Sequence, residues 1–141
     1  MTISLVDDQL LGQVLRRQAP SSLSSTELFT TGYWFVRLCQ AVLGANERPG
    51  VLSRPFSDLP PDLRTRATQA VLELPAEIGL LSLRELAPTI GLLRRRHQLN
   101  ILGLEALAVA VLLQANVFLS VNSPLLEAAL ASENLSVTVG T

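Results

Sequence analysis

ILGLEALAVAVLLQANVFLSVNSPLLEAAL, residues 101–130, decides the fold class. Residues 101–115 are apolar at nearly every position, the pattern of a helix buried on most of its sides. NVFLSV at 116–121 then gathers Val, Phe and Leu into a short run that reads as a strand. Ser123-Pro124 is a capping residue followed by a first-turn proline, the start signal for a helix over 124–132. A short strand held between two helices argues for an α/β domain with a parallel sheet covered on both faces.

The same alternation extends outward in both directions. LSVTV at 135–139 is the last strand, and ISLV at 3–6 is a short buried first one. A helix over 8–17 puts Leu10, Leu11, Val14 and Leu15 on one face, with Arg16-Arg17 near its C-terminal end. The polar loop PSSLSS (20–25) leads to a second strand at 27–31, and Thr31 is placed to cap GYWFVRLCQAVLG, residues 32–44. Residues 45–61 are rich in Pro and Gly and read as an irregular excursion. Pro61-Asp62 opens a helix to about Leu74, and IGLLSL (78–83) is a third strand. A helix from Arg84 to about Gln98 accommodates Pro88 only in its first turn. The expectation is one domain over 1–141, a three-layer α/β/α sandwich around a mainly parallel sheet. An all-helical bundle is the rival, and the β-branched stretches near the C-terminus count against it.

Composition narrows the function classes. A 48% hydrophobic share over 141 residues suits a sizeable core and argues against disorder. The net charge of −1 gives no general attraction to nucleic acid or anionic membrane, so any such contact is local. All 11 basic residues are Arg. A single Cys (Cys39) excludes an internal disulfide, and one Cys with one His excludes a Cys/His zinc site. The acidic start is unlike a signal peptide. Glu105, Gln114 and Asn116 interrupt the most apolar window, against a membrane span. The expected setting is cytoplasmic.

Ligands of open parallel sheets bind beyond the carboxyl ends of the strands. Asp7 follows the first strand and Asn122 the fourth. Glu105 is the only charge in 101–121, and Arg37 the only one between Gly32 and Gly44. An isolated charge on a buried helix must be paired, bound to metal or close to water. Asp7 has two readings of equal weight: a cap for helix 8–17, or a metal-binding acid at the mouth of the sheet. Asp8 reads as a solvent-facing first-turn acid, Glu105 as a dipole-favoured acid, and Arg37 as a side chain reaching the surface. The run Arg94, Arg95, Arg96, His97 is the best phosphate-contact candidate, weighed against a solvated helix end. His97 has no nucleophile placed beside it, and Cys39 reads as a small buried hydrophobe. Tyr33, Trp34 and Phe35 cannot share one helix face, so at least one is expected to be exposed or at a partner interface, weighed against the commoner use in core packing.

The order of elements, and residues 99–130 above all, resembles PIN domains, the fold of many toxin–antitoxin ribonucleases. The resemblance spans nearly the whole chain and is strongest over 79–139. It implies the strand order 3-2-1-4-5 and a cluster of four acids holding Mg²⁺ or Mn²⁺, which activates water and stabilises phosphoryl charge. Asp7 matches the first acid. Arg37 stands at about the place of the second, and Glu105 matches the third as Glu for the usual Asp. Ser120 takes the place of a frequent Thr, and Asn122 that of the last Asp. Two matched positions are thus acids, one a neutral amide and one a cation.

This substitution pattern implies a PIN-like scaffold with its nuclease chemistry lost or strongly weakened and no cofactor. The expected role is a module binding nucleic acid or protein. The alternative is a weak Mg²⁺- or Mn²⁺-dependent ribonuclease with Asp7 and Glu105 as its catalytic and metal-binding acids, completed by others such as Asp8. Partners consistent with the resemblance are an antitoxin-like protein, RNA or a second copy in a homodimer, and not a membrane. A further expectation places the Arg37 guanidinium between Asp7 and Glu105, standing in for the ion.

Overall fold

The computed structural model describes residues 2–45 and 49–140. Among these residues are five strands, the first four each followed by a helix: β1 (Ile3–Val6), β2 (Glu27–Thr30), β3 (Gly79–Leu80), β4 (Asn116–Leu119) and β5 (Val137–Val139). They form one all-parallel sheet in the order β3-β2-β1-β4-β5, the order the resemblance implies. The helices are α1 (Asp8–Leu15), α2 (Gly32–Leu43), α3 (Arg54–Ser57), α4 (Pro61–Leu72), α5 (Leu83–Arg94), α6 (Ile101–Leu113) and α7 (Pro124–Ser132).

The pleat separates two cores. Leu5, Val117 and Leu119 face α5, α6 and α7, and pack with Leu86, Leu104, Leu107 and Leu130. Val6 faces the opposite layer, where Leu10, Leu11, Leu38, Phe56 and Val71 gather, with Leu28 and Phe118 against them. Neighbouring residues on one strand therefore serve different helical layers, as the two-residue period of a strand requires. This is the expected three-layer α/β/α sandwich. In α6 the residues from Leu104 to Ala110 are all buried, which accounts for its apolar character around most of its circumference.

Three local expectations are corrected. β3 covers only Gly79–Leu80, because Ser82 already caps α5 by accepting from the Glu85 N–H at 3.3 Å. A Cβ at Gly79 would collide with the Phe29 ring opposite it, so glycine sets how closely β3 approaches β2. Pro88 lies inside α5, past the first turn. Its missing N–H would have met the Arg84 carbonyl, and both residues sit on the exposed face, where water replaces the lost donor. The stretch 45–61 is not wholly irregular: α3 carries Phe56, 2% exposed, into the α1–α2–α4 core. No helix among the described residues is long and apolar enough to cross a membrane.

Candidate functional site

β1 and β4 lie side by side at the centre of the sheet, so the chain leaves in opposite directions from their carboxyl ends. Asp7 follows β1 directly, and its N–H reaches the Phe118 carbonyl at 3.3 Å. Its carboxylate is 4% exposed and meets three donors. Oδ1 accepts from the Leu10 N–H at 3.0 Å and from the Ser120 hydroxyl at 2.8 Å, and Oδ2 from the Ser120 N–H at 2.7 Å. Asp7 is therefore a helix cap and a strand-end acid at once. It ties the start of α1 to the end of β4.

Asp8 corrects the expectation of a solvent-facing acid. It is 7% exposed, because it shares the buried stripe of α1 with Leu11, Gly12 and Leu15. Oδ1 accepts from the Gln9 N–H at 2.8 Å, and Oδ2 lies 3.4 Å from the Arg37 Nε. Burial and the neighbouring Asp7 charge push its carboxyl above the ordinary Asp range, against the pull of Arg37.

The expected placement of Arg37 between Asp7 and Glu105 is not observed. Among the described residues its ion-pair partner is Asp8, and its side chain is 48% exposed. The guanidinium also stands 5.8 Å over the Tyr33 ring, one helical turn back on α2. Asp7 is already saturated by its own donors, and Glu105 is engaged elsewhere.

Glu105, 5% exposed, reaches from α6 across to the front of α2. Oε2 accepts from the Gly32 N–H at 3.2 Å and Oε1 from the Tyr33 N–H at 3.1 Å, while Thr31 Oγ1 takes the Trp34 N–H at 3.1 Å. These acceptors fill donors that a helix start leaves open, and the dipole there favours the negative charge. A Cβ on Gly32 would lie 3.2 Å from Glu105 Oε2, so glycine admits the carboxylate. Beneath them, the buried Thr30 hydroxyl donates to the Val6 carbonyl at 2.9 Å.

A cleft of about 510 Å³ opens over the carboxyl ends of β1 and β4. Asp7, Asp8, Arg37 and Asn122 line it, with Tyr33, Trp34 and Leu125 among its walls. Glu105 instead lines a neighbouring groove of about 450 Å³ with Leu83 and Ile101, and Tyr33 and Leu102 belong to both. The structure thus brings three of the four matched positions to one cleft and assigns the fourth to the next.

The basic run lies away from this cleft. Arg96 is held by Glu133, with its closest approach at 3.1 Å, and His97 Nε2 stands 2.7 Å from Glu133 Oε2. Those two contacts hold the Glu133 carboxyl below its ordinary range. Arg94 and Arg95 are exposed. Arg96 is therefore a tie between the end of α5 and the end of α7, which sequence reasoning missed because the partner lies far along the chain. The role of Asp8 had a legible signal: Asp8, Leu11 and Leu15 repeat at the spacing of one helix face.

No protein-family model matches the chain, and no curated protein matches it.

Proposed function

We propose that this chain is a PIN-like domain that has given up robust metal-dependent RNA cleavage and serves as a binding module, with a partner protein entering the carboxyl-end cleft. The observation that carries the reading is the internal use of the acids. Asp7 accepts from Leu10 and Ser120, Glu105 accepts from Gly32 and Tyr33, and Asp8 faces Arg37. Among the described residues no three His, Cys, Asp or Glu side chains stand together so as to hold an ion. This donor set does not fit the Mg²⁺ or Mn²⁺ that the resemblance implies, since a divalent ion needs several carboxylate oxygens turned to one point.

Protein suits the cleft better than RNA. Two acids and one cation line it, a balance unfavourable to phosphate. Its rim carries Val121 and Leu125, 59% and 71% exposed, the apolar surface that a protein partner buries. An antitoxin-like chain and a second copy both match that chemistry. One observation favours the alternative of a weak ribonuclease: Asp7 and Asp8 share the cleft. The test is incubation of the purified protein with single-stranded RNA in Mg²⁺ or Mn²⁺. No metal-dependent cleavage is expected, and robust cleavage that disappears in Asp7→Asn would overturn the reading.

A further inference from the structure

The two acids at the matched positions have a use that needs no ion. We infer that Asp7 and Glu105 are metal-independent straps, each carboxylate joining the N-terminus of one helix to a different element across the carboxyl edge of the sheet. The inference rests on hydrogen-bond geometry and stands whether or not the chain is PIN-like.

Asp7 joins α1 to the end of β4, through Leu10 on one side and both donors of Ser120 on the other. Three donors converge on two carboxylate oxygens. An amide in the same place offers one acceptor oxygen and turns an NH₂ toward donors. Glu105 joins α6 to α2 by giving one oxygen to each of two successive N–H groups. It belongs to the layer of α5, α6 and α7, whereas α2 packs in the other layer. Glu105 is therefore a link across the end of the sheet, and it orients the Tyr33 backbone in the wall shared by the cleft and the neighbouring groove.

Metal-ligand acids and strap acids respond oppositely to neutralisation. Acids clustered to hold an ion repel one another when it is absent, so replacing one by its amide stabilises the metal-free protein. Acids that satisfy backbone donors lose acceptors on the same replacement, and the protein is weakened with or without metal. Gly32→Ala provides a second approach that leaves the acid in place, because the new methyl meets Glu105 Oε2 at 3.2 Å and must displace it.

The experiment is thermal unfolding of the full chain, Asp7→Asn, Glu105→Gln and Gly32→Ala, each in EDTA and in millimolar Mg²⁺ or Mn²⁺. The midpoints of Asp7→Asn and Glu105→Gln are expected to fall by roughly 3–8 °C, equally in both conditions, and that of Gly32→Ala by less, because a small shift of Glu105 relieves the contact. The unmodified chain shows no shift on adding metal. A variant too unstable to purify counts as the same loss. The inference is overturned if Asp7→Asn or Glu105→Gln melts at or above the unmodified chain in EDTA. It is also overturned if metal raises the midpoint of the unmodified chain and the variants lose that rise. Ribonuclease activity is a separate readout, so failure here leaves the functional reading to its own test.

Discussion

Arg37 Nε stands 3.4 Å from Asp8 Oδ2, which places the cation of α2 beside the second acid of the chain and not the first. The two neighbouring acids consequently live in different surroundings. Asp7 is enclosed by donors, whereas Asp8 is buried beside a like charge with a half-exposed counter-ion. Buried carboxylates are stable when donors surround them and costly when burial outweighs their partners.

Asp8→Asn is expected to stabilise the protein at pH 7. Burial and Asp7 raise the folded-state pKa of Asp8, so the folded chain binds its proton more readily than the unfolded chain does. Ionised Asp8 therefore lowers stability above the ordinary Asp range, and that stability returns as pH falls through the raised value. The amide keeps an acceptor for the Gln9 N–H and removes the buried charge. Melting curves from pH 7 to about pH 4 check this: the advantage of the variant is largest at pH 7 and shrinks with acidification. A variant less stable at pH 7 would show that the Arg37 contact outweighs burial.

Arg37→Ala is expected to cost about 0–1 kcal/mol, because a half-exposed ion pair is worth little. Arg16→Ala is expected to cost more, about 1–2 kcal/mol. The Arg16 guanidinium stands 4.9 Å over the Phe56 ring and its Nε donates to Gln18 at 3.0 Å. The expectation that set the Arg37 guanidinium between two buried acids ranks Arg37 as the larger loss, and its exposure reverses that order. Urea unfolding of both variants beside Arg64→Ala, at an exposed position of α4, orders the three.

Glu133→Gln is expected to destabilise the protein at neutral pH and to make no difference in acid. His97 and then Arg96 hold the folded-state pKa of Glu133 below its ordinary value of 4.5. The contribution is therefore complete above that value and is lost as pH falls through the depressed one. The gap in melting midpoint between the unmodified chain and the variant should close on acidification. A gap that persists at the lowest pH would mean that packing, not charge, holds α7 to the end of α5.

The alternation of strands and helices was legible because Val, Ile and Leu cluster into short runs between helical periods, whereas the strand order came only with the resemblance. Asp7 was open to two readings from sequence, and the structure shows the first, a cap on α1 that also binds the end of β4. β3 was read too long, since IGLLSL is apolar apart from Ser82, and that residue caps α5 instead of extending the strand. The partners of Arg37, Glu105 and Arg96 were not legible. Each depends on how two elements distant in sequence meet, and periodicity within one helix carries no such information. The contact of Arg16 was not legible for a related reason: Phe56, which it covers, lies in a stretch that reads as loop.

Calorimetric titration of the unmodified chain with Mn²⁺ tests most directly whether Asp7 and Glu105 are committed to donors of the chain itself and leave no site for a divalent ion. The account predicts no saturable heat at millimolar Mn²⁺ for the unmodified chain, and none when Arg37→Ala removes the cation beside Asp8. Saturable one-site binding by the unmodified chain, abolished in Asp7→Asn, would contradict it.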